Sequence, residues 1–197
     1  APIAERVPPE KYGGTERVIY ALTEELVSRG HEVTLFASGN SKTSAKLVSV
    51  CEKSLRESNA KDPYGANPLS LLNIGACYSQ EHKFDIIHDH QSHLSMPTAN
   101  MAQTPVVITL HGAPEGDYLK LLQAFPNPRL VTISYAQAKV APNLNYVGTV
   151  YNGLAMQNYP FSETHEGYLL FVGRISMQKG VHFAIKVAQE LDLPLII

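Results

Sequence analysis

Short apolar runs rich in β-branched residues alternate with amphipathic segments along most of the chain. Such runs are typical of buried parallel strands, and the segments between them repeat apolar positions at helical spacing. Strands are predicted at 33–37, 46–51 (at a sheet edge), 85–88, 106–110, 130–133 and 146–150, and helices at 15–29, 68–80, 93–102, 117–124 and 135–140. The repeated strand–helix order predicts an α/β fold, with a parallel sheet covered by helices on both faces.

The pattern is interrupted once, in a stretch that contains Gly153, Pro160 and Gly167 and lacks either periodicity. We interpret 153–167 as a linker between a first domain, 1–152, and the start of a second domain, 168–197. The second domain is predicted to open with a buried strand at 168–172, a helix beginning near Gly180 and a strand at 193–197. This division implies that the second domain is incomplete, and we also expect a strand just upstream of Ala1.

Composition narrows the classes of partner. The net charge of −2, with lysine and arginine scattered, argues against nucleic acid as a partner. The apolar runs are too short to span a bilayer, so membrane association would be peripheral at most. Cys51 and Cys77 lie far apart and are interpreted as reduced core thiols, which predicts a cytoplasmic protein.

Adjacent glycines precede the first predicted helix in the run Gly13-Gly14-Thr15-Glu16. Glycines at such a position let the backbone approach a ligand and expose N–H donors, although a simple flexible turn explains them equally well. Thr15 is predicted to cap the helix, and Thr15 and Glu16 are both candidates for the substrate cleft. The run is not a dinucleotide-binding fingerprint, because the spacing G-x-G-x-x-G is absent.

Two polar residues follow predicted strands, at the edge of a parallel sheet where ligands bind. His111 follows the strand at 106–110 and could donate a hydrogen bond to a substrate or carry a proton; the alternative is a histidine bonded to nearby backbone. Ser134 follows the strand at 130–133 and could face the same cleft, although capping of the next helix is the favoured interpretation.

A cluster of potential metal ligands, His88, Asp89, His90 and His93, lies around the strand at 85–88. No cysteine or second group of carboxylates accompanies these residues. We therefore favour a polar loop near the cleft and expect no metal.

Arg174 and Lys179 lie between the end of one predicted strand and the start of the next helix. A helix N-terminus already favours anions, and two cations beside it suit a diphosphate. The alternative is a pair of solvated surface charges. Asn152 and Gly153 form a turn at the domain boundary, where a role in the cleft is conceivable.

Taken together, these segments resemble the retaining, nucleotide-sugar-dependent glycosyltransferases of family four, which have the GT-B fold of two Rossmann-like domains. The matching motifs, in order, are Tyr12-Gly13-Gly14-Thr15-Glu16-Arg17-Val18, Arg29-Gly30-His31-Glu32-Val33-Thr34-Leu35, Phe84-Asp85-Ile86-Ile87-His88, Thr109-Leu110-His111-Gly112, Tyr151-Asn152-Gly153-Leu154, and Phe171-Val172-Gly173-Arg174 with Lys179-Gly180.

The resemblance implies roles for particular residues. Arg174 and Lys179 would hold the donor diphosphate, Gly13 and Gly14 would bring backbone against the phosphates and the acceptor, and His111 would contact the donor sugar near the transferring carbon. Asn152-Gly153 would mark the crossing between domains. Ala155 departs from the pattern, since family members often have aspartate there, and the family's acidic motif would lie beyond Ile197.

The function implied by the resemblance is transfer of a hexose from a nucleotide-diphosphate sugar to an acceptor hydroxyl, with retention of configuration and without a metal or other cofactor. The acceptor could be a sugar, a lipid or a small molecule. Two alternatives stay open: a nucleotide-sugar 2-epimerase of the same fold, and a non-catalytic module that binds nucleotide or a partner. The chain by itself is expected to be inactive.

Overall fold

The computed structural model describes residues 1–63, 65, 67–91, 93–154, 156 and 159–197. Ala155 and part of the predicted linker lie outside these residues. The chain divides into two compact units, Ala1–Leu154 and Ala155–Ile197. Among the described residues, no helix combines the length and apolar character needed to cross a bilayer.

The first unit is an α/β structure in which every strand pairing is parallel. Its strands are β1 (Thr34–Phe36), β2 (Lys46–Val48), β3 (Ile87–Asp89), β4 (Val106–Leu110), β5 (Arg129–Thr132) and β6 (Tyr146–Thr149). Its helices are α1 (Gly14–Ser28), α2 (Pro68–Tyr78), α3 (Met96–Met101), α4 (Gly116–Ala124) and α5 (Tyr135–Val140). β3, β4, β5 and β6 form one sheet in that order, while β1 and β2 form a separate pair. The predicted α/β class is confirmed.

The larger of two core clusters among the described residues of the first unit lies on the four-stranded sheet, and the smaller one joins α1 and β1. Val106, Ile108 and Leu110 of β4 are buried, because this strand has neighbours on both sides. They belong to one cluster with apolar side chains of β3, β5, α2, α3 and α4: Ile87, Leu130, Ile74, Tyr78, Met96, Ala99 and Leu122. This burial holds the carboxyl end of β4 in place.

Helix α1 differs from the prediction at its start. Thr15 does not cap it; the cap position is Gly13, whose φ of 132° is a conformation that glycine adopts readily and a threonine would not. At its other end, the N–H of Gly30 donates to Val27 O at 2.9 Å and that of His31 to Leu26 O at 3.1 Å. These two bonds form a Schellman motif, which requires a left-handed residue just after the helix. Gly30 meets this requirement with a φ of 86°.

Other helix and strand boundaries differ from the predicted ones for identifiable reasons. The helix predicted at 93–102 begins only at Met96, because Pro97 occupies its first turn and a helix tolerates proline there. The strand predicted at 85–88 is displaced to Ile87–Asp89, where pairing of Ile87 with Val106 sets the register. β2 ends at Val48 because its partner β1 supplies only three residues.

The second unit is a strand–helix–strand element. β7 (Leu169–Leu170) pairs in parallel with β8 (Leu195–Ile196), and α6 (Val181–Leu191) connects them. The prediction of a buried strand at 168–172 was wrong: the strand is shorter, Leu170 is 61% exposed and Val172 is 84% exposed. A two-stranded sheet with one helix leaves a face uncovered within this unit. The strand predicted at 193–197 is likewise reduced to two residues.

Candidate functional site

A cleft of about 740 Å³ opens in the first unit, where the start of α1 meets the segments that follow β3 and β4. Seven residues singled out in the sequence line it: Gly13, Gly14, Thr15, Glu16, His90, His93 and His111. Gln91 and Gly112, which follow β3 and β4, line it as well. A second cavity of about 490 Å³ lies where β1 and β2 begin and is lined by none of those seven.

Gly13 brings the backbone of the glycine loop close to other parts of the unit. A Cβ at Gly13 would lie 2.9 Å from Glu16 Oε2 and 2.9 Å from two side-chain carbons of Pro9. A Cβ at Gly14 would meet nothing within 4 Å. The two glycines therefore differ: Gly13 is required by packing and φ, whereas Gly14 leaves open space beside the cleft.

Glu16 is a buried carboxyl group, with 2% of the residue exposed, in the first turn of α1. Burial raises the pKa of this carboxyl, and the nearby Glu5 raises it further. Glu5 itself forms an ion pair with Arg56, whereas Glu16 has no ion pair with any described residue. The Ala1 ammonium and the Arg56 guanidinium offset part of this rise in pKa, and the carboxyl of Glu16 lines the cleft.

Three histidines stack along the ends of β3 and β4. The ring centroids of His88 and His90 are 4.4 Å apart and those of His90 and His111 are 5.2 Å apart. His88 Nε2 lies 2.8 Å from Thr109 Oγ1, and His90 Nδ1 lies 2.9 Å from His111 Nε2. His111 therefore bonds to another imidazole rather than to backbone, which neither sequence interpretation of this residue anticipated.

Burial also sets the charge of these rings. It lowers the pKa of His111 to about 4 and that of His90 well below its ordinary value, with the neighbouring His88 acting in the same direction. Both rings are therefore neutral at pH 7. Within the described residues, no group of three histidine, cysteine or acidic side chains is arranged to hold a metal ion.

Gln137 was not identified from the sequence, yet it holds the segment around His111. Its Nε2 donates to the carbonyl oxygens on either side of that residue, Leu110 O at 3.0 Å and Gly112 O at 2.8 Å. Its Oε1 accepts from the N–H of Ile133 at 2.8 Å. The available signal was Ser134-Tyr135-Ala136-Gln137, which has the spacing of a capping box.

The remaining predicted residues lie elsewhere. Ser134 caps α5, its hydroxyl accepting from the N–H of Gln137 at 3.1 Å, which agrees with the favoured interpretation. Asn152 and Gly153 are exposed and follow β6. Arg174 and Lys179 are exposed in the second unit, Lys179 in a 3-10 turn that leads through Gly180 into α6.

The cleft is lined by two carboxyl groups that differ in exposure. Glu16 and Asp117 both line it. Asp117 is nonetheless a surface group, with its side chain 97% exposed and 2.8 Å from Lys120 Nζ. Only Glu16 of the two is enclosed.

Comparison with known proteins places this architecture in a family. The family model for Glycosyltransferase Family 4 matches residues 12–153, which include the glycine loop, the histidines and Gln137. The chain belongs to glycosyltransferase family 4. It is 23% identical over 216 residues to the O-antigen chain mannosyltransferase C of Escherichia coli, an alignment that covers 96% of this chain. The chain spans 57% of the length of that relative.

The difference between the two glycines gives a first testable prediction. Gly13→Ala should lower the free energy of unfolding by about 1–3 kcal/mol, because the new methyl group meets Pro9 and the backbone must leave a glycine conformation. Gly14→Ala is the matched control and should stay within about 1 kcal/mol of wild type. Urea unfolding followed by circular dichroism measures both. Equal stability of the two variants would contradict the assigned packing of Gly13.

A second prediction concerns the Gln137 strap, by which we mean the hydrogen bonds from Gln137 Nε2 to Leu110 O and Gly112 O. Gln137→Leu should lower the free energy of unfolding by about 1–3 kcal/mol, since it leaves the carbonyl groups beside His111 without their donor. Gln123→Leu changes an exposed glutamine of α4 and should alter stability by no more than about 0.5 kcal/mol. The same unfolding measurement compares them, and a Gln137→Leu protein as stable as the control would show that the strap does not hold the segment.

Proposed function

We propose that the protein transfers a sugar from a nucleotide-diphosphate sugar to a hydroxyl group of an acceptor, with retention of configuration. The observation that carries the proposal is the cleft of the first unit, in which the glycine loop and His111 meet at the carboxyl edge of a parallel sheet. That edge is where open α/β sheets bind ligands. Membership of family 4 supports sugar transfer as the reaction type.

The second unit supports the choice of an activated donor. Arg174 and Lys179 are exposed cations in the turn between β7 and α6, and neither forms an ion pair with a described residue. Helix α6 begins just after this turn, and no side chain of the described residues caps its N-terminus. A departing diphosphate gains negative charge as its bond to the sugar breaks, and fixed cations with helix N–H groups stabilise that charge.

The chemistry then needs little acid catalysis. The bond between the sugar C1 and the diphosphate oxygen breaks, and the acceptor oxygen bonds to C1 from the same face, so configuration is retained. The acceptor proton passes to the departing phosphate oxygen. A retaining glycosidase would instead need two carboxyl groups flanking the bond, whereas Asp117 is a surface group that pairs with Lys120.

The roles of the cations can be tested in the full-length protein. Arg174→Ala and Lys179→Ala should each lower kcat/KM for sugar transfer by about tenfold to a thousandfold, because each removes charge stabilisation that develops in the transition state. Lys186→Ala is the matched control, since it removes an exposed cation from α6 outside the turn. The assay follows nucleoside diphosphate and the new glycoside together, with the anomeric configuration of the product read by NMR.

Three outcomes would contradict the proposal in different ways. An isomerised nucleotide sugar without a new glycoside would identify a 2-epimerase. Binding of nucleotide with no turnover of any donor would identify a non-catalytic module. Transfer that is equally fast in both alanine variants and in Lys186→Ala would return Arg174 and Lys179 to the role of surface charges.

A further inference from the structure

The imidazoles of His90 and His111 form a pair on the wall of the cleft. His90 Nδ1 and His111 Nε2 lie 2.9 Å apart, and both residues line the cleft. The second nitrogen of each ring, His90 Nε2 and His111 Nδ1, bonds to no described residue, and neither is sealed from solvent. His88 stacks on His90 but directs Nε2 to Thr109, so it does not compete for either free nitrogen.

The hydrogen bond between the two neutral rings fixes how their protons are placed. Two neutral imidazoles carry two ring N–H groups, and the hydrogen bond between them uses one. If His90 donates from Nδ1, then His111 must carry its proton on Nδ1. If His111 donates from Nε2, then His90 must carry its proton on Nε2. In both cases the two rings are the same tautomer, and the cleft is offered one N–H donor and one bare nitrogen.

This arrangement suits hydroxyl groups better than an anion. A hydroxyl group can accept from the N–H and another can donate to the bare nitrogen, whereas an anionic oxygen at the bare nitrogen would face a second lone pair. None of the described residues that line the cleft is lysine or arginine, and the enclosed carboxyl of Glu16 lines it as well. The side chains of this wall therefore include no lysine or arginine that favours a carboxylate or a phosphate.

We propose that His90 and His111 act as one recognition unit that binds two hydroxyl groups of an uncharged sugar, so that His90 contacts the substrate directly. The assignment rests on the proposed function for the identity of the ligand as a sugar. It goes beyond that function by naming His90 as a specificity residue and by excluding uronate and sugar-phosphate groups from the positions that the pair contacts.

The first test reads the pair itself, by nitrogen–proton NMR of histidine side chains in the ¹⁵N-labelled chain at pH 7. We expect both rings to be protonated on Nδ1 or both on Nε2; protonation on opposite nitrogens, or a charged ring, would overturn the pairing. Methyl glycosides of glucose, galactose and mannose are then added, each against its matching uronate. At least one neutral glycoside should shift the ring nitrogens of both residues, with its uronate at least tenfold weaker. No shift with any glycoside, or an equal response to a uronate, would overturn the proposal.

The second test uses variants of the full-length protein in the transfer assay. His90→Phe keeps a ring in the stack but removes both nitrogens, and it should lower kcat/KM at least tenfold. His90→Gln should recover part of the loss, because an amide again offers one donor and one acceptor. His88→Phe is the matched control, since it changes the adjacent ring outside the cleft, and should stay within threefold of wild type.

Separate assays show whether the pair binds the sugar of the donor or that of the acceptor. They also separate failure of the recognition unit from failure of the proposed function. A neutral nucleotide sugar against its nucleotide uronate probes the donor, and a neutral acceptor glycoside against its uronate probes the acceptor; the neutral form should be favoured at least tenfold in one arm. Equal use in both arms, or equal activity of His90→Phe and His88→Phe, would overturn the recognition unit while leaving sugar transfer standing. Absence of transfer from every donor would instead contradict the proposed function. The NMR titration alone would then decide whether His90 and His111 act as a recognition unit.

Discussion

The parallel pairing of β3 with β4 is the constraint on which the candidate site depends. Asp89, the last residue of β3, lies opposite Ile108, so that His90 and His111 emerge beside each other past the ends of neighbouring strands. A slip of one residue would reverse which side chains face the cleft and which face the core. The register is stabilised because alternate residues of β4, Ile108 and Leu110, are fully buried in the core.

Hydrogen bonds on either side of the pair hold this edge of the sheet. After β3, the carboxylate of Asp89 accepts from Tyr78 Oη at 2.9 Å and from the N–H of Gln91 at 2.6 Å, which fixes the turn that carries His90. After β4, Gln137 binds the carbonyl groups flanking His111. Buried polar groups with all partners in place favour one arrangement. A neutral, hydrogen-bonded wall therefore forms in the first unit, whereas the exposed cations assigned to the diphosphate belong to the second.

The sequence predicted best the elements that are governed by local pattern. β4 and α5 occur at the predicted residues, because a β-branched run and a helix behind a serine cap each specify their own structure. Helix α3 and the start of α1 were misplaced where a proline and a glycine φ prevailed over apolar periodicity. The strand at 168–172 looked buried by composition, yet burial depends on what covers a sheet, and composition does not contain that information.

For the site, the sequence predicted individual residues but not their partners. Gly13, Gly14, Glu16 and His111 could be placed at strand and helix ends, and the structure brings them to one cleft. The bond between His90 and His111 depends on the register of two strands, and the strap from Gln137 depends on how α5 packs against β5 and β6. Those are properties of the folded sheet, and no spacing along the chain encodes them.

Hydrogen–deuterium exchange of the full-length protein, with and without a nucleotide sugar and a neutral acceptor, tests the location of the site most directly. We expect slower exchange in the segments that line the cleft of the first unit, around Gly13, His90 and His111. Slower exchange confined to the other cavity, around Val27, Lys46 and Phe84, with those segments unchanged, would contradict it.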